Sequence, residues 1–189
     1  MPTHHFHDQY ISADKIVAVV KELVTDNAYH NITLEEIAMK MRCQVKALTV
    51  HFNHMDALLY RIIEEDFNVL TQMIVTIQYG DDNKIDKLNQ LLVSFMEFGI
   101  NLHHRYDLLF AFYTSNDKHS ITEIAQKTYY RFEYAVLQLK EQQTEESLVY
   151  SAFIALHGFI QHHKGYVKDF EEIRSYAEAH AWFVLKGLS

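Results

Sequence analysis

The sequence predicts an all-α fold, and three observations support this prediction. Apolar residues recur at three- and four-residue steps in almost every window, as they do on the buried face of a helix. The 189-residue chain contains only five glycines and one proline, Pro2, so residues that interrupt helices are scarce. Strand-like alternation is not sustained in any window. We therefore expect about nine helices and no sheet.

The helices can be placed in order along the chain. Ile16 to Leu23 mark the first, and Thr33, three residues before Glu36, predicts a capped start for the second. A short gap at Arg42 leads into the third, and Asn53 is the expected cap of a long fourth helix. The polar segment 80–83 ends that helix, and further helical windows follow at 85–102, 105–115, 120–141, 145–163 and 170–186.

Composition limits the classes of function. The net charge is −8, the wrong sign for a protein whose whole surface holds nucleic acid. Residues 1–60 carry five Lys/Arg against seven Asp/Glu, a net −2, so a DNA-binding surface is expected in that third and the acidic remainder away from phosphates. Cys43 is the only cysteine, and no stretch reaches about 18 apolar residues. We expect a cytoplasmic protein without membrane contact.

Residues 16–59 have the layout of a helix-turn-helix: helix, short loop, helix, tight turn and short helix. Arg42 and Lys46 can address guanine edges or phosphates, and Gln44 can address adenine. Together with Thr49, these residues are the candidates for DNA contact. We therefore divide the chain into a flexible arm (1–12), a helix-turn-helix DNA-binding domain (13–54) and a second helical domain (55–189).

The N-terminal segment resembles the signature of the TetR family of transcriptional regulators. The resemblance is carried by residues spread over about 45 positions: Tyr29, Ile32-Thr33-Leu34, Ile37-Ala38, Leu48, His51-Phe52, Asp56 and Leu58-Leu59. It implies a recognition helix at 44–51, a phosphate-binding hydroxyl at Thr33 and a backbone-contacting histidine at His51. The chain departs from the family at Ala28, Arg42 and Lys46, where glycine is common, at Thr49, where tyrosine is common, and at Met55, where a phosphate-binding lysine is usual.

The second half resembles a ligand domain found in part of that family. Leu156-His157-Gly158 is similar to its Trp-His-Gly motif, residues 101–110 are similar to its start, and residues 181–188 are similar to its last helix. The resemblance implies that residues 55–189 form a ligand-binding and dimerisation domain. The resemblance implies a homodimer built from the last two helices. We expect its interface to include the small or apolar residues Ala152, Ala155, Phe159, Ala177, Ala181 and Val184.

Aromatic residues concentrate between positions 95 and 134, where clustered cations are absent. A pocket of this composition suits a small apolar or aromatic effector, although the same residues could fill a closed core. The candidate ligand-binding residues are Phe98, Tyr106, Phe110, Tyr113, Tyr130, Phe153 and His157. A molecule bound there is expected to shift the fourth helix. The two recognition helices of the dimer would then no longer match the half-site spacing of about 34–36 Å.

Motifs of enzymes and metal sites are absent from the sequence. There is no phosphate-binding glycine loop, no Gly-x-Ser-x-Gly elbow and no His-Glu-x-x-His. His103-His104 and His162-His163 are adjacent pairs, whose side chains diverge by about 100° on a helix. We expect no enzyme activity, no metal and no cofactor. The prediction is a dimeric repressor that binds a palindromic operator; the alternative is a TetR-like dimer with degenerate DNA contacts that acts through a protein partner.

Overall fold

The computed structural model describes residues 11–26, 32–103, 106, 119–140 and 144–188, and no strand occurs among them. These residues form eight α-helices and one short 3-10 helix. The α-helices are α1 (Ala13–Asp26), α2 (Leu34–Lys40), α3 (Val45–Thr49), α4 (Met55–Gln78), α5 (Lys84–Asn101), α6 (His119–Leu139), α7 (Glu146–His163) and α8 (Arg174–Gly187), and the 3-10 helix is Phe170–Ile173. The predicted all-α class is confirmed. Apart from Tyr106, the helical window predicted at 105–115 lies outside the described residues.

The chain divides into two compact units, Met1–Glu65 (unit 1) and Asp66–Ser189 (unit 2). The division falls within α4, whereas the sequence analysis placed the boundary before that helix. The difference has a local cause, because the Glu65 carboxylate accepts a hydrogen bond of 2.8 Å from Lys21 Nζ on α1. This ion pair ties the first turns of α4 to the helix-turn-helix.

Unit 1 has an apolar core that is contributed by all its helices. Ile16 and Val20 of α1, Ile37 of α2 and Leu48 of α3 are fully buried, as is Leu58 of α4. The predicted cap of α2 is present, since Thr33 Oγ1 accepts a hydrogen bond from the Glu36 N–H. The core and the cap together fix where α2 begins and which of its faces points outward.

The start of α4 differs from the prediction. Asn53 was expected to cap this helix, but His54 does so, because His54 Nδ1 accepts a hydrogen bond of 3.2 Å from the Ala57 N–H. The other end agrees with the sequence: α4 ends at Gln78, and Asn83 caps α5 by accepting from the Asp86 N–H.

Unit 2 is organised around α5, which packs against α6, α7 and α8. Phe95 of α5 meets Phe132 of α6 and Phe153 of α7 in edge-on contacts, with ring centroids 5.3 and 5.5 Å apart. Close to them, α5 approaches α7 so closely that a Cβ atom at Gly99 would overlap the side chain of Ile160. The absence of a side chain at Gly99 therefore sets the distance between these two helices.

No helix within the described ranges has the length and apolar character needed to cross a membrane.

The contact at Gly99 gives a prediction about stability. Gly99→Ala should lower the free energy of unfolding by about 1–3 kcal/mol, since Ile160 is buried and β-branched and has little room to move. Ile160→Ala should remove most of that penalty when both changes are combined, although it leaves a cavity of its own. Chemical denaturation of the two single variants and the double variant measures this coupling. Gly187→Ala, where a Cβ meets nothing within 4 Å, is the matched control; equal effects of the two alanines would contradict the close approach.

Candidate nucleic-acid interface and effector region

The turn between α2 and α3 depends on a residue with a left-handed backbone. Arg42 has a φ of 53°, the only positive φ of a non-glycine among the described residues. Its N–H donates to the Met39 carbonyl at 3.1 Å, and the Cys43 N–H donates to the Ala38 carbonyl at 2.9 Å. These two bonds form a Schellman motif, which ends a helix and reverses the chain. The turn thus sets the direction of α3 relative to α2, as a helix-turn-helix requires.

Thr33 is the exposed N-cap residue of α2. Its Oγ1 accepts a 3.2 Å hydrogen bond from the Glu36 N–H, which leaves the hydroxyl proton available to another acceptor. A phosphate oxygen is such an acceptor. The geometry is therefore compatible with the phosphate contact that the resemblance implies.

The residues of α3 differ in how free their side chains are. Gln44 is exposed at the N-cap and makes no capping hydrogen bond, so its amide remains available for a base edge. Lys46 is also exposed, on the first turn. Thr49 is half-buried and donates its hydroxyl proton to the Lys46 carbonyl at 3.1 Å, which leaves it only acceptor capacity.

Among the cations of unit 1, two have no ion-pair or hydrogen-bond partner for the side chain among the described residues: Arg42 and Lys46. The other cations are engaged with carboxylates or further groups: Lys21 with Glu65, Lys40 with Glu22, Arg61 with Glu64 and Glu65, and Lys15 with another group. The positive charge that remains for an anionic partner is therefore concentrated around the turn and the first residues of α3.

The His51 side chain makes a hydrogen bond within unit 1. Its Nε2 lies 2.9 Å from the carbonyl oxygen of Ile11, to which it donates. The neutral ring then has its lone pair on Nδ1, which cannot donate to a phosphate. His51 therefore connects the end of α3 to the chain just before α1.

His54 and Val50 are candidate contacts that the sequence analysis missed. Because His54 Nδ1 accepts from Ala57, the neutral ring carries its proton on Nε2 and can donate to a phosphate. It is adjacent to Met55, where the resemblance leads one to expect a lysine. Val50, directly after α3, is 77% exposed, and its methyl groups suit a thymine methyl. In the sequence, the signal available for Val50 is its position within the segment 44–51, which the resemblance implies to be the recognition helix.

Cys43 is part of the Schellman turn and half-buried. Burial raises the pKa of its thiol above the usual value, so the unreactive thiol form is favoured. The environment supports a packing role for this side chain.

In unit 2, the structure brings together three of the candidate ligand-binding residues. The hydroxyl of buried Tyr106 lies within hydrogen-bonding distance of His157 Nδ1, at 3.0 Å, and the two rings stack 5.6 Å apart. Phe95 lies beside both Tyr106 and Phe153, at 6.3 and 5.5 Å between ring centroids. The three residues thus form one aromatic cluster of the core, in which Tyr106 and His157 are the polar pair.

The remaining ligand candidates are placed differently. Phe98 is half-buried and packs against the core of unit 2. Tyr130 is 61% exposed, so its side chain is not part of the Tyr106 cluster. Phe110 and Tyr113 lie outside the described residues.

Unit 2 also contains buried polar atoms without a hydrogen-bond partner among the described residues. They are Thr71 Oγ1 and Gln78 Oε1 on α4 and Arg131 Nε on α6. Buried polar atoms of folded proteins are nearly always paired, so these three atoms are exceptions.

The residues expected at the dimer interface do not share one surface. Ala152, Ala177, Ala181 and Val184 are buried in the core of their own subunit, whereas Ala155 and Phe159 are half-buried. Exposed positions of α7 and α8 carry other apolar side chains: Tyr150, Ile154, Tyr176, Trp182 and Phe183. The small residues permit close packing, as expected, but most of them do so within the subunit.

Within the described part of the chain, no three His, Cys, Asp or Glu side chains are grouped so that they could hold a metal ion.

No protein-family model matches the chain, and a search of curated proteins finds no significant match. Solved structures do match over nearly the whole length. The TetR regulator from Legionella pneumophila is 16% identical, with a TM-score of 0.73 over 96% of this chain and 100% of its own. A fatty acid degradation regulator from Bacillus halodurans is 13% identical, with a TM-score of 0.74 over 93% and 95%. A regulator of the same family from Aquifex aeolicus is 17% identical, with a TM-score of 0.71 over 91% and 98%. The chain therefore has the fold of the TetR/AcrR family of transcriptional regulators.

Proposed function

We propose that this protein is a sequence-specific DNA-binding transcriptional repressor, active as a homodimer and released from a palindromic operator by a small, mainly apolar effector. The observation that carries the proposal is the location of the unengaged cations Arg42 and Lys46 at the α2–α3 turn and on α3. Intramolecular carboxylates pair with Lys21, Lys40 and Arg61, so the α2–α3 turn and α3 are where a phosphate backbone would gain most.

DNA contacts are assigned by the chemistry of each side chain. Thr33, Lys46 and His54 would contact phosphates, since each has a free donor in an exposed position. Gln44 would address a base from the N-cap of α3, and Val50 would contact a thymine methyl. His51 would act by positioning the start of α1 against α3.

The homodimer would use the exposed face of α7 and α8. Tyr150 and Ile154 on α7 and Trp182 and Phe183 on α8 are between 46% and 71% exposed. Large apolar side chains grouped on adjacent helices favour association over exposure to water. The resemblance implies the same helix pair, and a twofold arrangement would match the symmetry of a palindromic operator.

The effector would bind in unit 2 near Tyr106, Phe153 and His157. The aromatic cluster supplies apolar surface, and the Tyr106–His157 pair supplies one oriented polar contact. A regulator of fatty acid degradation among the structural neighbours agrees with an apolar effector. Effector and operator would be linked through α4, which contributes residues to both units, and each would weaken the other by the same factor.

The first prediction concerns the operator. Lys46→Ala should weaken binding roughly tenfold and lower the salt dependence by about one counterion per subunit, because a phosphate contact is lost. Electrophoretic mobility and fluorescence anisotropy at several salt concentrations measure both quantities on a duplex that the unmodified protein selects from a random library. Lys84→Ala, which removes the same charge from the exposed start of α5, should change neither.

Two outcomes would count against this assignment. If the Lys46 and Lys84 variants bind alike, the cation on α3 is not a DNA contact. If the unmodified protein selects no sequence, the proposed function fails, and the alternative of a TetR-like dimer acting through a protein partner becomes the better one.

The second prediction concerns assembly. Phe183→Glu should convert the dimer into a folded monomer, since it places a charge in an apolar interface. Ala177→Glu should instead unfold the subunit, because that residue is fully buried within it. Sedimentation separates monomer from dimer, and circular dichroism reports folding. Tyr79→Glu, at an exposed aromatic position after α4, is the control and should stay dimeric. A stable monomer of the unmodified protein at micromolar concentration would refute the proposed interface.

The third prediction concerns the effector. In a thermal-shift screen, apolar or aromatic compounds should raise the melting temperature and release DNA. Tyr106→Phe should lower the affinity for such a compound about fivefold, because one hydrogen bond is lost. The affinity for DNA in the absence of compound should stay the same. Tyr79→Phe, which removes an exposed hydroxyl, should leave the response unchanged. A screen that yields only polyanionic compounds would contradict an effector of this class.

A further inference from the structure

Arg42 occupies a backbone position that disfavours its side chain. Its φ of 53° lies in the left-handed region, where the Cβ atom of an L-residue is crowded. The Schellman motif requires this conformation at the residue after the helix cap, and glycine fills that position at no steric cost. The two hydrogen bonds donated by Arg42 and Cys43 N–H show that the motif is fully formed. The fold therefore requires the conformation but not the arginine.

The Arg42 side chain also contributes nothing visible to the stability of unit 1. It is exposed, and its guanidinium has no ion-pair, hydrogen-bond or aromatic partner among the described residues. The nearby Lys40, by contrast, is engaged with Glu22 at 3.3 Å. A side chain that is unfavourable for its backbone and unused by its own subunit points to a partner outside the subunit.

We propose that Arg42 contacts DNA from a strained backbone conformation. The strain lowers the stability of the turn, and the guanidinium makes a bidentate contact with an operator phosphate. A guanidinium matches two phosphate oxygens in a planar fork, which a lysine ammonium does not. Phosphate rather than a base is the partner because Arg42 precedes the N-cap of α3 and lies in the turn, outside the helix that reads bases. The inference rests on the proposed DNA-binding function and adds to it a residue whose effects on stability and on binding have opposite signs.

Three substitutions separate the backbone from the side chain. Arg42→Gly removes both the strain and the guanidinium, Arg42→Ala removes only the guanidinium, and Arg42→Lys keeps the charge but not the fork. Opening of the turn is measured by amide hydrogen exchange at Cys43, whose N–H is part of the motif. DNA binding is measured on the selected operator and on a random-sequence duplex of equal length, with the same protein concentration throughout.

For stability, Arg42→Gly should decrease the opening constant at Cys43 about fivefold relative to Arg42→Ala, while Ala, Lys and Arg remain within about twofold of one another. For binding, Gly and Ala should weaken both duplexes by the same factor, roughly tenfold, with a smaller salt dependence. Lys should retain the salt dependence and lose part of the affinity.

Three results would overturn the inference. Equal protection in the Gly and Ala variants would mean that the backbone is not strained. Unchanged DNA binding in both would mean that the guanidinium has no DNA partner, although the proposed function would stand, since the unmodified protein binds. A loss confined to the operator, with an unchanged salt dependence, would assign Arg42 to a base. Failure of the unmodified protein to bind any duplex is the separate result that would remove the proposed function itself.

Discussion

The reversal of the chain between α2 and α3 depends on one left-handed residue, and the surface proposed to contact DNA depends on that reversal. The Schellman bonds at Arg42 and Cys43 end α2 after two turns and place Gln44 at the N-cap position of α3. Cys43 in the same turn is half-buried, and Leu48 of α3 is fully buried. A local conformational preference here sets the direction of the helix that would enter the major groove.

Two histidines at the other end of α3 show how hydrogen bonding selects between similar side chains. His51 and His54 are both exposed and three residues apart. The first uses Nε2 to hold the Ile11 carbonyl, whereas the second uses Nδ1 to cap α4. In neutral imidazole, these bonds leave opposite nitrogens free, an acceptor on His51 and a donor on His54. Only the donor suits a phosphate, so the roles that the residue type leaves open are decided by each ring's intramolecular partner.

The sequence was sufficient for the fold class and for several element ends, because these depend on local signals. Thr33 and Asn83 are capping residues whose partners lie three residues ahead, and helical periodicity located α5 and α7 to within a residue or two. The faces of α7 and α8 could not be predicted in the same way. Both helices carry apolar residues on two sides, and periodicity does not tell which side meets the subunit core. Ala177 and Ala181 were therefore assigned to the interface, although they pack against their own core.

The candidate site was predicted in its location more than in its roles. Arg42, Gln44 and Lys46 were identified from residue type and the helix-turn-helix layout, and the structure leaves all three side chains exposed. The strain at Arg42 could not be anticipated, because the sequence does not state the backbone angle that an arginine adopts. His54 was missed since the cap was assigned to Asn53, a residue with higher capping propensity in general. Tertiary context at the start of α4 overrode that preference.

The charge of the whole chain is a poor guide to the surface proposed to contact DNA, and pairing within unit 1 explains why. A net charge of −8 would repel a polyanion if it were evenly distributed. Carboxylates such as Glu22 and Glu65 lie instead beside Lys40 and Lys21, where they neutralise cations that would otherwise compete for phosphate. Interactions between exposed charges fade beyond about 8–10 Å at physiological salt, so distant acidic residues weaken a phosphate contact little. The local excess of positive charge at Arg42 and Lys46 therefore decides where a phosphate binds. Intramolecular pairing creates this excess because it engages other cations of unit 1, such as Lys21 and Lys40. Substituting Glu22 or Glu65 would therefore remove the ion pair of Lys40 or Lys21 and raise the net charge of unit 1 by one. Under the proposed function, non-specific affinity would rise and the preference of DNA for α3 would fall.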